Sequence, residues 1–222
     1  MLCSTECNSL DGVSFWGVSG LESLDTLEGI TKVSTLILLD NPDLKNIRGI
    51  EGASIKKGIN IDGNNTLMSL SGVTEDELHH FHLENNNSLK NLDGLESVES
   101  IGYSGRDIPG KLKIAMNTGL RSLKGLSNVE ELYTLRIVDN ANLKRISGLS
   151  KVKTVEGHFS IANNPSLKSI ESLMGIETLE KGLNITNNPS LPSCQVQKFV
   201  ENVDVNENYQ VSVGNNGSGS CE

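Results

Sequence analysis

Short stretches of alternating apolar and polar residues return along this chain at a near-constant interval. The shared pattern is apolar-x-apolar-x-x-Asn-x-x-Leu. Its copies are LILLDNPDL ending at Leu44, INIDGNNTL at Leu67, FHLENNNSL at Leu89, LKIAMNTGL at Leu120, LRIVDNANL at Leu143, FSIANNPSL at Leu167 and LNITNNPSL at Leu191. An eroded copy ends at Leu21. Successive leucines are 23, 23, 22, 31, 23, 24 and 24 residues apart. A fixed period of this size predicts a solenoid, in which each repeat buries its apolar face only against its neighbours.

The copy from Leu135 to His158 shows how one turn is built. Leu135 and Ile137 alternate with Arg136 and Val138, which predicts a strand with one face inward and one outward. Asp139, Asn140 and Ala141 break it. Asn140 is aligned with Asn41, Asn64, Asn86, Asn117, Asn163 and Asn187, and a polar residue at one bend of every repeat predicts a ladder of side-chain amides satisfying backbone groups at that bend. Leu143, Ile146, Leu149, Val152 and Val155 then recur at every third position. That spacing suits short extended segments joined at corners, because an amphipathic helix needs threes and fours. Gly148 and its equivalents Gly49, Gly72, Gly94 and Gly125 mark a tight corner. A coil of about two dozen residues with little helix is a parallel β-solenoid. The expectation is therefore an all-β, right-handed parallel solenoid of about eight 22–24-residue coils.

Both ends are expected to be capped. Val196, Phe199, Val200 and Val203 fall at helical spacing after Pro192 and Ser193, which predicts a short amphipathic helix over Gln195–Val203. Tyr209–Val213 supplies a final strand. Phe15 and Trp16 are expected to plug the first layer. The chain thus divides into an N-terminal cap (1–20), a repeat solenoid (21–191) and a C-terminal cap (192–222), together one domain. One repeat carries about eight extra residues, assigned to Gly102–Lys111 (GYSGRDIPGK). Insertions in repeat proteins map to loops on one face, often a binding face.

Composition narrows the classes of function. The net charge is −9, and there is no basic stripe to neutralise phosphates, so nucleic acid is not an expected partner. No apolar run is long enough to span a bilayer. No signal peptide is read, and Met1 is compatible with a start placed after a removed leader. The four cysteines fall outside the repeats, Cys3 and Cys7 at one end, Cys194 and Cys221 at the other. Four cysteines allow three pairings, and pairing within each end, Cys3–Cys7 and Cys194–Cys221, closes the shortest loops. Cys3 and Cys7 could alternatively bind metal, although no second Cys/His pair lies nearby at ligand spacing. Disulfides would place the chain in an oxidising compartment. Sequons at Asn64, Asn86, Asn184 and Asn216 fit an extracellular chain, but the repeat is itself rich in Asn followed by Ser or Thr.

The L-x-I strand, the recurring NNPSL turn and the GL-x-x-V segment that follows resemble the receptor L-domain family. These are leucine-rich-repeat-like right-handed β-helices found in the extracellular parts of insulin and epidermal growth factor receptors. The likeness runs from about Leu21 to Cys221. It extends to bacterial secreted or lipoprotein-type members, whose cysteine helix and terminal strand LPSCQVQKFVENV and VSVGNNGSGSC resemble. It implies an extracellular or cell-surface location, lipid-anchored or tethered in a longer precursor, and a binding or adhesion role. The family shares no catalytic residues, so none is carried over. The chain lacks the cysteine-rich modules, transmembrane helix and kinase of the animal receptors, so hormone binding is not implied.

The outward strand positions should stack into a ribbon: Ile37 and Leu39, Asn60 and Asp62, His82 and Glu84, Lys113 and Ala115, Arg136 and Val138, Ser160 and Ala162, Asn184 and Thr186. The candidate ligand-binding residues are Tyr103 and Arg106 of the insertion with His82, Lys113 and Arg136 of the ribbon. His80, His82 and Glu84 share a strand face, and imidazole with carboxylate suits a divalent ion such as zinc; solvated histidines on an exposed strand are the plainer reading. Clustered acids of the polysaccharide-cleaving kind are not evident, since Asp40, Asp62 and Glu84 come one per rung. No nucleophile elbow, phosphate loop or zinc-protease motif occurs. The expectation is a monomeric, cofactor-free recognition or adhesion module for an unidentified protein or glycan, with no catalysis and no direct membrane insertion. A passive spacer or surface-layer element is the alternative, and a polysaccharide-active enzyme comes third.

Overall fold

A computed structural model describes residues 9–55, 57–102 and 110–219. The alternating stretches form a single parallel ladder: β1 (Val13–Trp16), β2 (Thr35–Leu39), β3 (Gly58–Asp62), β4 (His80–Glu84), β5 (Lys111–Ala115), β6 (Leu135–Val138), β7 (Thr154–Ala162), β8 (Thr178–Thr186) and β9 (Val211–Gly214). Each pairs in parallel with the equivalent strand of the next coil. The fold is the expected all-β parallel solenoid. Its first strand lies within the segment assigned to the N-terminal cap, and its last within the C-terminal one. A shorter row of pairings runs alongside, through Glu77–Leu78, Ser100–Ile101 and Glu131–Leu132.

Inward positions carry the core. Leu36, Leu38, Ile59, Ile61, Phe81, Leu83, Leu112, Ile114, Leu135 and Ile137 are all essentially without solvent exposure. So are Leu143, Ile146, Leu149, Val152 and Val155, the run at every third residue. Burying one such side chain stabilises by about 1.5–3 kcal/mol, so each coil contributes little alone and much when stacked. In three coils that run includes a single 3-10 turn, at Asp25–Leu27, Lys124–Leu126 and Glu171–Leu173. The corner glycines are explained by close approach. A Cβ on Gly148, whose φ is 135°, would sit 2.4 Å from the Leu123 carbonyl oxygen one coil back.

The asparagine ladder exists, with a correction in its last rungs. The buried amides belong to Asn41, Asn64, Asn86, Asn117, Asn140, Asn164 and Asn188. Asn163 and Asn187, the first residues of their Asn-Asn pairs, instead take left-handed backbone angles, with φ of 57° and 58°. Asp40, Asn85 and Asp139 occupy the same place, and Asn and Asp tolerate it best among residues with a Cβ. The two asparagines therefore do different jobs. Asn140 is typical of the second: its Nδ2 donates to the carbonyls of Ile114 (3.0 Å) and Val138 (2.9 Å). Its Oδ1 accepts from the backbone N–H of Asn117 at 3.1 Å. The ladder continues one rung into the C-terminal segment, where Asn216 accepts from the N–H of Asn188.

At the C-terminal end α1 spans Ser193–Asn202 and buries Val196 and Phe199. Phe199 stacks on Phe159, centroids 5.5 Å apart. Cys194, on this helix, is disulfide-bonded; Cys221, Cys3 and Cys7 lie outside the described residues. At the other end Phe15 packs against the core. Trp16 does not plug the layer: it is 75 % exposed, because period-2 alternation turns it to the outer face beside Leu39.

Candidate functional site on the outward ribbon

The outward residues fall into two in-register columns. One runs Ser14, Ile37, Asn60, His82, Lys113, Arg136, Ser160, Asn184, Ser212. The other runs Trp16, Leu39, Asp62, Glu84, Ala115, Val138, Ala162, Thr186 and Gly214. Ala115, Val138 and Ala162 are buried despite facing outward, and they form a small apolar strip separate from the main core.

Of the predicted ligand-binding set, His82, Lys113 and Arg136 occupy three successive places in the first column. Tyr103 and Arg106 lie outside the described residues. The ends of the insertion meet: a Cβ on Gly102 would stand 2.7 Å from the carbonyl carbon of Gly110. Gly102 and Gly110 therefore lie together, Gly110 beside the His79 backbone, and the flanking strands keep their pairing.

The predicted metal set is organised differently. His82 Nε2 donates to Glu84 Oε2 at 2.8 Å, and Lys113 Nζ donates to the same oxygen at 2.5 Å. The lysine thus occupies the carboxylate that a cation would need. Among the described residues no three His, Cys, Asp or Glu side chains gather to hold a metal ion. His80 joins no such group, and its Nδ1 is buried without a hydrogen-bond partner among the described residues, as is Asn60 Oδ1. What the described residues form here is a hydrogen-bonded relay of His82, Glu84 and Lys113.

Burial has the largest influence on both histidines and holds His80 and His82 below the ordinary imidazole value. The neighbouring His79 and Lys111 add to this for His80, while the Glu84 hydrogen bond opposes it for His82 without reversing it. Burial pushes the Glu84 carboxyl up, but the hydrogen bonds from Lys113 and His82 outweigh it and hold the carboxyl below its ordinary value. At neutral pH Glu84 is therefore ionised and the His82 imidazole bonded to it is neutral.

Sequence reasoning missed an open groove of roughly 650 Å³ over the last coils, lined by His158, Ser160, Lys181, Asn184, Tyr209 and Ser212 among others. Hydrogen-bonded polar side chains lie within it: Asn184 Nδ2 donates to Ser160 Oγ at 3.2 Å, and Thr186 Oγ1 donates to Asn184 Oδ1 at 2.9 Å. Lys181 Nζ lies 3.2 Å from the Tyr133 hydroxyl, a contact that raises the lysine's pKa. The strands beneath it, β7 and β8, are the two 9-residue strands of the ladder, and their register shifts near His158. The sequons divide here too. Asn64 and Asn86 spend their amides inside the ladder and are fully buried, and the Asn216 amide donates to the Ile185 carbonyl.

These features define a class: a parallel β-solenoid with a structured outward face. Compared with known proteins, the chain matches no family model, no curated protein and no solved structure.

Proposed function

We propose that this chain is an extracellular or cell-surface recognition and adhesion module of the receptor L-domain kind, which binds a protein or glycan through its outward ribbon without catalysis. The observation that carries this reading is the chemical unevenness of a geometrically regular face. Strand register places Asn60, His82, Lys113 and Arg136 about 4.8 Å apart from rung to rung, so neighbouring side chains act on one ligand. The groove beyond Arg136 continues the same face with hydroxyls, an amide and tyrosine, groups that hydrogen-bond and stack on polar ligands. The disulfide at Cys194 supports an oxidising location.

The test is a glycan array and a binding-partner screen with the intact chain. Arg136→Ala and Tyr209→Ala should each weaken a captured partner by about 1–2 kcal/mol, since Arg and Tyr most often dominate interface energies, with unchanged melting. A partner indifferent to both substitutions would place the site elsewhere and end the ribbon reading.

A further inference from the structure

The residue after the pattern's leucine is basic in five of the seven full copies: Lys45, Met68, Lys90, Arg121, Lys144 and Lys168 follow Leu44, Leu67, Leu89, Leu120, Leu143 and Leu167, and Pro192 follows Leu191 where the C-terminal segment begins. The fold stacks them. Met68 N–H donates to the Lys45 carbonyl, Arg121 to Lys90, Lys144 to Arg121 and Lys168 to Lys144, at 2.8–3.2 Å. The Arg121–Lys90 bond bridges the coil that carries the insertion, so the column stays continuous there. All six side chains are exposed, on a face set apart from the ribbon by the asparagine bend. Arg145, also exposed, widens the column beside Lys144 through parallel bridges to Ser122 and Ser169.

Of the column's five cations only one is paired with a carboxylate among the described residues. Lys45 pairs with Glu22 at 2.7 Å. Among the described residues Lys90, Arg121, Lys144, Arg145 and Lys168 pair with no carboxylate, whereas Lys113, Lys151 and Lys153 all do. A molecule with net charge −9 therefore keeps a row of free cations, spanning about 14 Å from Lys90 to Lys168 at the sheet's rung spacing. A row of like charges repels itself, so folding supplies no reason for it. The basic stripe absent from the composition is present in three dimensions.

We infer that this stripe is a binding site for a linear acidic polysaccharide, separate from the ribbon site proposed above. One cation per rung matches a polymer carrying one carboxylate or sulfate per sugar or two. The positions on either side of the column are largely hydroxyls and amides, such as Thr66, Ser88, Asn142, Ser122 and Ser169, which suit sugar hydroxyls. Among the described residues no aromatic side chain occupies the positions next to the column in sequence, whereas single-stranded nucleic acid sites use such side chains to stack bases. Met68 is its single apolar side chain, too little to enter a lipid surface.

The experiment measures binding of the whole chain to dextran sulfate, polygalacturonate, unmodified dextran, oligodeoxythymidylate and phosphatidylserine vesicles. Binding to dextran sulfate or polygalacturonate but not to dextran is expected, and which of the two binds tells sulfate from carboxylate recognition. Affinity should fall at least about tenfold between roughly 50 and 200 mM salt as counterions compete. Arg121→Glu with Lys144→Glu should abolish it, and a quadruple glutamine variant at Lys90, Arg121, Lys144 and Lys168 should lower it at least tenfold with an unchanged circular dichroism spectrum. Arg136→Glu on the ribbon should leave it intact. Binding to neither polyanion, binding untouched by the glutamine variant, or tighter binding to the oligonucleotide or the vesicles would overturn the inference. Loss in Arg136→Glu alone would do so as well, and would return polyanion binding to the ribbon.

Discussion

The asparagine column and the outward ribbon run side by side through the same coils, yet one is uniform and the other changes at every rung. Asn41 to Asn188 repeat one side chain with one set of bonds. The ribbon column passes from Ile37 through Asn60, His82, Lys113 and Arg136 to Ser160. The bend has unpaired backbone groups whichever coil it sits in, so its solution is repeated. The outer face has no backbone need to meet, so its residues are free to differ. The basic stripe breaks this division, being outward and nearly uniform, which is why it calls for an explanation outside folding.

The contrast can be broken most strongly at the bend. Asn140→Leu removes donors to Ile114 and Val138 and the acceptor for Asn117 in a dry site. Unfolding by urea should show a loss of about 3 kcal/mol, since each buried group left unpaired costs about 1–3 kcal/mol. A stability equal to wild type would dissolve the ladder as a structural device. Next comes the corner: Gly148→Ala drives a methyl against Leu123 at a positive φ, and thermal melts should register a loss of about 2 kcal/mol.

Acid titration sharpens the ribbon side. His80 and His82 have folded values below the ordinary 6.5, so the unfolded chain takes up protons first as pH falls below about 6.5. Their contribution is full above that pH and is lost as pH falls. Glu84 is also lowered, from an ordinary 4.5, so its contribution has the same sign and is lost at lower pH. Melting temperature should therefore drop on acidification, and the drop between pH 6.5 and 5 should shrink in a His80→Gln, His82→Gln double variant. An identical pH profile would show that burial of this relay is not felt. Smallest of all, Lys144→Ala should alter stability by no more than about 0.5 kcal/mol.

Much of this was legible beforehand, for physical reasons. Period-2 alternation set the strands and their outward columns, and the Leu interval set the register. The alignment at Asn163 and Asn187 was one residue off: the pattern's own spacing, Asn three residues before Leu, points to Asn164 and Asn188 ahead of Leu167 and Leu191, and the left-handed φ of the first residue of each pair agrees. Trp16 was misplaced because bulk suggests burial, while strand alternation decides it. The relay was half visible: His82 and Glu84 share a face by spacing, but Lys113 lies 29 residues away in sequence, and only the stacked register brings it to the carboxylate. The basic stripe was present in the text as Leu followed by Lys or Arg, yet net charge concealed it.

The most direct test sets one inward residue against four outward ones. Equilibrium unfolding of Asn164→Ala should be compared with that of the quadruple glutamine variant at Lys90, Arg121, Lys144 and Lys168. Asn164 donates to Ile137 and Ala162 and accepts from Asn140, so its loss should cost about 2–3 kcal/mol, while the four exposed changes together should leave stability within about 1 kcal/mol of wild type. A quadruple variant as destabilised as Asn164→Ala would contradict the division between a column that holds the coil and columns left free to bind.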